Sequence, residues 1–135
     1  MSKDRLLSCK TPETREEDDK EEFSVWKRAR KLRAEERERA RLDVLSRVVE
    51  ALHLLEERYC WKEAYLFGSL TRPGRFHPDS DVDIAIRGLN KFEHFAFVGD
   101  LSMLLQRPVD VLRLEDSPLA ESIVSKGRIC RRKDR

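Results

Sequence analysis

The spacing of apolar residues changes several times along the chain, and each change marks a different predicted element. Residues 23 to about 58 contain no Pro or Gly and are dominated by good helix formers. In the second half of this stretch apolar residues recur every three or four positions, at Val44, Val48, Leu52, Leu55 and Tyr59. That period predicts a helix with one face in the core. The first half, about 24–41, is highly charged, so we expect one long helix, or two helices with a bend near residues 39–43.

Shorter apolar runs separated by turn residues follow this helix. They predict strands at 63–67, 81–86 and 108–114, and helices at about 91–105 and from Ser117 to about Lys126. Pro and Gly within residues 70–80 predict a loop between the first two strands. The order of elements indicates an α/β fold, with a small central sheet covered by helices.

These patterns divide the chain into four predicted segments. Residues 1–22 have almost nothing apolar to bury and are expected to be disordered or frayed. Residues 23–41 are expected to form a charged exposed helix, residues 42–127 a folded domain, and residues 128–135 a basic tail.

Composition limits the classes of function. The chain has 135 residues, which is enough for one domain, and 40% of them are charged, against roughly 25% in an average globular protein. The net charge is only +2, so the whole molecule has little attraction for nucleic acid. Cys9, Cys60 and Cys130 form neither a zinc motif nor a disulfide framework. No apolar segment is typical of a signal peptide or a membrane span, so we expect a cytoplasmic protein without a membrane partner.

Two acids in the second predicted strand provide the first sign of chemistry. Asp81 and Asp83 are two residues apart, and side chains in a strand alternate between faces, so both carboxylates project from one face. Adjacent carboxylates repel each other, and a bound cation relieves that repulsion. Their hard oxygen ligands favour Mg²⁺ or Mn²⁺.

A third acid, Asp110, lies between Val109 and Val111 in another predicted strand. A charge there is costly unless it is paired or binds a metal. If the strand is a neighbour of the second, three carboxylates can hold two metal ions, and Asp110 can take the proton of an attacking hydroxyl.

A glycine turn completes the constellation. Gly68 and Ser69 end the first predicted strand, and glycine allows the backbone to approach a phosphate closely. The Ser69 hydroxyl can bond the terminal phosphate, and Arg72 is expected near the same phosphates.

The motifs Leu66-Phe-Gly-Ser-Leu-Thr-Arg72, His77-Pro-Asp-Ser-Asp-Val-Asp-Ile-Ala-Ile86 and Pro108-Val-Asp-Val111 together resemble the DNA polymerase beta-like nucleotidyltransferase superfamily. The nearest resemblance is to its minimal nucleotidyltransferases, and it covers roughly residues 42–127. It implies a small mixed sheet flanked by helices and transfer of a nucleoside monophosphate from a nucleoside triphosphate to a hydroxyl, with AMP from ATP the favoured case. It also implies that Gly68 and Ser69 bind the triphosphate, and that Asp81, Asp83 and Asp110 are the metal-binding and catalytic acids.

The same resemblance suggests a partner. Many minimal nucleotidyltransferases are antitoxins of HEPN-type toxins, some of which they silence by adenylylating a tyrosine. One feature departs from the common pattern, because eleven residues separate Ser69 from Asp81 where ten are usual. The extra residue falls near Pro73, at a loop tip where insertions are tolerated.

Three interpretations remain open at this level. The first is an Mg²⁺-dependent enzyme whose acceptor is a protein or small-molecule hydroxyl. The second is a non-catalytic antitoxin that neutralises its partner by contact. A third, weaker one is association with nucleic acid through the basic helix and tail. The helix at 24–41 is either a solvated helix or a docking surface for a partner or a second copy of the chain.

Overall fold

The computed structural model describes residues 12–133, with side chains described from residue 19 onward. Two compact units divide the chain, one ending at Glu36 and one beginning at Arg37. Residues 1–11 of the predicted segment at 1–22, and residues 134–135 of the predicted tail, lie outside the described residues.

The first helix, α1, runs from Pro12 to Leu54 as one element. Residues 12–22, which we predicted to be disordered or frayed, are therefore helical. Pro is well suited to the start of a helix because its missing N–H would have no partner there. Within the part of the first unit whose side chains are described, the large apolar side chains are exposed, with Phe23, Val25, Trp26 and Leu32 between 56% and 61% accessible.

In the second unit, α1 buries the face that its period predicted. Val48 and Leu52 are fully buried, and Val44 and Leu45 nearly so. They join one cluster with the apolar side chains of the sheet and of helix α2, His94–Leu105, among them Ile84, Phe97 and Leu101. The prediction of a helix facing the core is confirmed.

A four-stranded mixed sheet supports this core. Its strands are β1 (Glu63–Phe67), β2 (Val82–Arg87), β3 (Val109–Arg113) and β4 (Arg128–Arg131), in the order β3-β2-β1-β4. β1 is antiparallel to both β2 and β4, whereas β2 and β3 are parallel and are connected through α2. The predicted fold class, a small mixed sheet with flanking helices and a long charged N-terminal helix, is confirmed.

The C-terminal segment differs from its prediction. Helix α3, Ala120–Lys126, ends at Gly127 as expected, but the residues that follow form β4 instead of a basic tail. Cys130 is buried in the core. Arg132 then donates hydrogen bonds to the carbonyls of Tyr59, Trp61 and Glu56 at 2.9, 2.8 and 2.9 Å. The strand has four residues, and its high charge hid the alternation that identifies longer strands.

No helix within the described part of the chain is long and apolar enough to cross a membrane.

Candidate active site

Two of the predicted acids are direct neighbours across the sheet. Asp83 in β2 pairs in register with Asp110 in β3, and Asp81 immediately precedes β2. Because β2 and β3 are parallel, their side chains in register share a face. Asp81 and Asp110 are exposed, while Asp83 is half-buried. The structure thus brings together the acids that sequence spacing alone left on separate strands.

The electrostatics of Asp83 reflect this crowding. Partial burial is the largest cause that raises the pKa of Asp83 above its usual value, and the charges of Asp110 and Asp81 raise it further. The ionised carboxylate is therefore disfavoured in the protein without a cation beside it. A positive charge placed in the site would therefore stabilise the ionised form of Asp83.

The glycine turn lies directly against these acids. Phe67 at the end of β1 pairs with Asp83, so the next residue, Gly68, reaches the Asp83 side chain. A Cβ at Gly68 would overlap a carboxylate oxygen of Asp83, and the residue also has a φ of +77°. Glycine is required here for two reasons, the close approach and the left-handed backbone. This contact joins the turn and the acids into one site.

Residues Gly68–Thr71 form a short 3₁₀ turn whose carbonyl groups are taken by three different donors. The Thr71 hydroxyl donates to the Gly68 carbonyl at 3.0 Å, and the Arg72 amide donates to the Ser69 carbonyl at 3.1 Å. The Leu70 carbonyl accepts from Arg41 of α1 at 2.9 Å, and the Leu70 side chain is fully buried. The turn is therefore fixed from both its backbone and its side chains.

A cleft of about 680 Å³ opens beside this turn. Gly68, Ser69 and Arg72, the residues predicted to bind phosphate, line it together. Four further cations, which sequence reasoning did not assign to the site, line it as well: Arg41, Arg75, Lys126 and Arg128. Among its described lining residues there is no acid. Such a concentration of positive charge makes the cleft suited to a polyanion.

The eleven-residue loop between the turn and the acids is anchored midway. Phe76 is buried, and the Arg107 guanidinium lies 5.1 Å from the centre of its ring. Arg107 also donates to the Ser80 carbonyl at 3.1 Å, and the Ser80 hydroxyl accepts from the His77 amide at 2.9 Å. These contacts hold the chain just before Asp81. Nothing in the sequence marked Arg107, because its partners lie far away along the chain.

The acids suit a metal that is completed by substrate. Within residues 12–133, no group of three or more His, Cys, Asp or Glu side chains is arranged to hold a metal ion by itself. Mg²⁺ is usually held by one or two carboxylates together with substrate phosphates and water. Asp83 and its neighbour Asp110 could supply the two carboxylates of that donor set, and Gly68 connects them to the cationic cleft.

A glycine turn against paired carboxylates, with a cationic cleft beside it, is an arrangement suited to nucleotidyl transfer. The family model for the polymerase beta nucleotidyltransferase domain matches residues 51–135, and the chain belongs to that family. A comparison with curated proteins gave no match.

Solved structures share the fold. One is a mutant of the toxin–antitoxin MntA–HpeT, with 23% identity over 63% of this chain and 73% of that chain, at a TM-score of 0.54. A second is a toxin–antitoxin with AMP-PNP, with 26% identity over 62% and 71% and a TM-score of 0.53. A third, a protein assigned as a minimal nucleotidyltransferase, has 22% identity over 65% and 93% and a TM-score of 0.53.

Proposed function

We propose that this nucleotidyltransferase uses Mg²⁺, or Mn²⁺, to transfer a nucleoside monophosphate, AMP from ATP, to a hydroxyl of a protein or small molecule. The observation that carries the proposal is the contact between Gly68 and Asp83. It joins the turn that lines the cationic cleft to the register pair Asp83 and Asp110.

The cleft is the proposed site for the nucleoside triphosphate. Its volume of about 680 Å³ lies within the range of small-molecule sites, roughly 300–1,000 Å³. Gly68 and Ser69 are proposed to contact the terminal phosphates, and Arg72 to neutralise them. Arg75, Lys126 and Arg128 are proposed to spread positive charge along the rest of the polyphosphate. The similar structure with AMP-PNP supports an adenine nucleotide as the substrate.

The acids are proposed to bind metal and to handle the proton. Asp81, Asp83 and Asp110 are the proposed ligands, and a bound divalent cation would neutralise the charge that develops on the phosphates. Asp110 lies on the edge strand β3 and is exposed, so that an acceptor hydroxyl can approach it from outside the sheet. In the proposed step Asp110 accepts the hydroxyl proton, the oxygen bonds to the α-phosphorus, and pyrophosphate leaves along the cationic cleft.

We further propose that the acceptor belongs to a protein partner and that this chain is the antitoxin of a HEPN-type toxin. Two similar structures are toxin–antitoxin proteins, which supports that role. The exposed Phe23, Trp26 and Leu32 of α1 support a docking surface for the partner or for a second copy of this chain. Cys60 and Cys130 are free thiols, which supports a reducing cytoplasmic setting.

The direct test incubates the protein with labelled ATP, Mg²⁺ and the product of the neighbouring gene. We expect label on the partner with the wild type and with Asp79→Asn, an exposed acid of the same loop, but not with Asp81→Asn or Asp83→Asn. Neutralisation of the partner by both inactive variants, without label, would instead identify a module that acts by contact.

A further inference from the structure

The Leu70 carbonyl is the one carbonyl of the Gly68–Thr71 turn that is satisfied by a distant segment. Thr71 and Arg72, which are within the turn or next to it, satisfy the Gly68 and Ser69 carbonyls. The Leu70 carbonyl accepts from Arg41 Nη1 at 2.9 Å, across 29 positions of sequence. The turn is thereby tied to helix α1 at a position that lies in the segment predicted to be a charged exposed helix.

Arg41 is itself held in place by a two-point contact on its own helix. Its Nε donates to Glu38 Oε1 at 2.9 Å, and its Nη2 donates to Glu38 Oε2 at 2.6 Å. Only 8% of Arg41 is exposed, and a buried guanidinium is stable only when its charge and its N–H groups find partners. Glu38 fixes the plane of the guanidinium, which directs Nη1 to the turn.

The geometry points to Arg41 as a positioning residue for the nucleotide site, which acts through the Leu70 carbonyl to hold the Gly68–Ser69 turn beside Asp83. The expected effect of Arg41 on nucleotide binding rests on the proposed function, whereas its expected effect on the position of the turn does not. A lysine cannot reproduce the contact, because a single ammonium group lacks the planar fork that engages both oxygens of Glu38 and the carbonyl together.

The first arm of the test measures amide hydrogen exchange in the protein without nucleotide. In Arg41→Lys and Arg41→Met we expect exchange at residues 70–72 to be at least about tenfold faster, with the β1–β2 amides unchanged in relative rate. The amide of Lys62, which donates to the Arg87 carbonyl at 2.8 Å, is the internal reference. Arg39→Gln, an exposed position on the same helix, is the matched control and should change neither.

The second arm measures the affinity for a non-hydrolysable ATP analogue with Mg²⁺. We expect the dissociation constant to rise at least about tenfold in Arg41→Lys, less in Glu38→Gln, and not in Arg39→Gln. If Arg41→Met does not fold, Arg41→Lys decides the result.

Three results would overturn the inference. The first is unchanged exchange at residues 70–72 in Arg41→Lys. The second is faster exchange at the turn and the β1–β2 amides alike, which indicates a purely global role. The third is weaker binding without a change at the turn, which makes Arg41 a direct phosphate ligand. Failure of the wild type to bind nucleotide would reject the proposed function, and the exchange arm would still decide the role of Arg41.

Discussion

The two sides of the active site differ in charge and in construction. The acid side consists of Asp81, Asp83 and Asp110, which come from two adjacent strands whose register fixes their spacing. The cation side draws on α1, the loop after the turn, and the junction of α3 and β4. Register sets Asp83 directly beside Asp110, where the charge of Asp110 raises the pKa of Asp83, whereas charge spread over several segments is suited to binding. We therefore expect single changes on the acid side to act mainly on turnover and on the Mg²⁺-dependent part of nucleotide binding. Single changes on the cation side should act mainly on affinity, with turnover nearly unchanged.

The largest expected effect is that of Asp83→Asn. Activity should fall by about a thousandfold or more, in the range seen when a key electrostatic group is removed. The melting temperature without metal should rise or stay the same. The folded protein raises the pKa of Asp83, so ionised Asp83 opposes folding above its usual pKa, and asparagine removes that cost. Thermal unfolding checks this, and a fall in melting temperature would contradict it.

The same linkage predicts a pH effect in the wild type without metal. As the pH falls through the raised pKa of Asp83, the carboxylate takes up a proton and the repulsion is relieved. The wild type therefore loses less stability on acidification than Asp83→Asn does. The difference in melting temperature between the two proteins should therefore shrink as the pH is lowered. Equal differences at all pH values would show that Asp83 is not crowded.

The next largest effect is expected where the two sides meet. Gly68→Ala should reduce activity by about a hundredfold and stability by about 1–3 kcal/mol, because the new Cβ overlaps the Asp83 carboxylate at a positive φ. Gly74→Ala is a matched control, since Gly74 has a φ of +79° but nothing within 4 Å of the added Cβ. It should lose some stability and keep its activity. Equal loss of activity in both variants would assign the effect to the backbone alone.

A smaller effect is expected on the cation side. Lys126→Gln and Arg128→Gln should each raise KM for the nucleoside triphosphate by about three- to tenfold with kcat nearly unchanged, since each removes one of several charges from the cleft. Arg131→Gln, which changes an exposed residue of the same strand as Arg128, provides the control. A loss in kcat with an unchanged KM would contradict the division between the two sides.

The smallest effect is expected from the loop anchor. Arg107→Gln removes the guanidinium above Phe76 and the bond to the Ser80 carbonyl, both of which lie before Asp81. We expect kcat to fall about two- to fivefold with unchanged nucleotide affinity, because a small displacement of an acid slows chemistry more than binding. Steady-state kinetics together with a binding titration separate these quantities.

The acid side of the site could largely be predicted from the sequence, whereas the cation side could not. Asp81 immediately precedes β2 and Asp83 lies in it, so their two-residue spacing in one predicted strand was the basis for predicting a common face. Gly68 and Ser69 follow a recognisable buried strand. Placing Asp110 beside them required the strand order, which the resemblance implied and the parallel pairing of β2 and β3 supplies.

The cation side could not be predicted in the same way. Arg41 lies in a run of alternating charges, where a buried arginine looks like its solvated neighbours. Arg128 reaches the cleft because β4 pairs with β1, and this four-residue strand was predicted as a tail. Tertiary contacts between distant segments determine both positions, and neither period nor motif encodes them locally.

The central claim is that the Gly68 turn and the Asp83 carboxylate form one site for a nucleoside triphosphate with its metal. Calorimetric titration of a non-hydrolysable ATP analogue, with and without Mg²⁺, tests it most directly. We predict binding that Mg²⁺ strengthens in the wild type and in Asp79→Asn, and a dissociation constant raised at least about tenfold, without Mg²⁺ dependence, in Asp83→Asn. Binding that is absent from the wild type, or equally strong and equally Mg²⁺-dependent in Asp83→Asn, would contradict it.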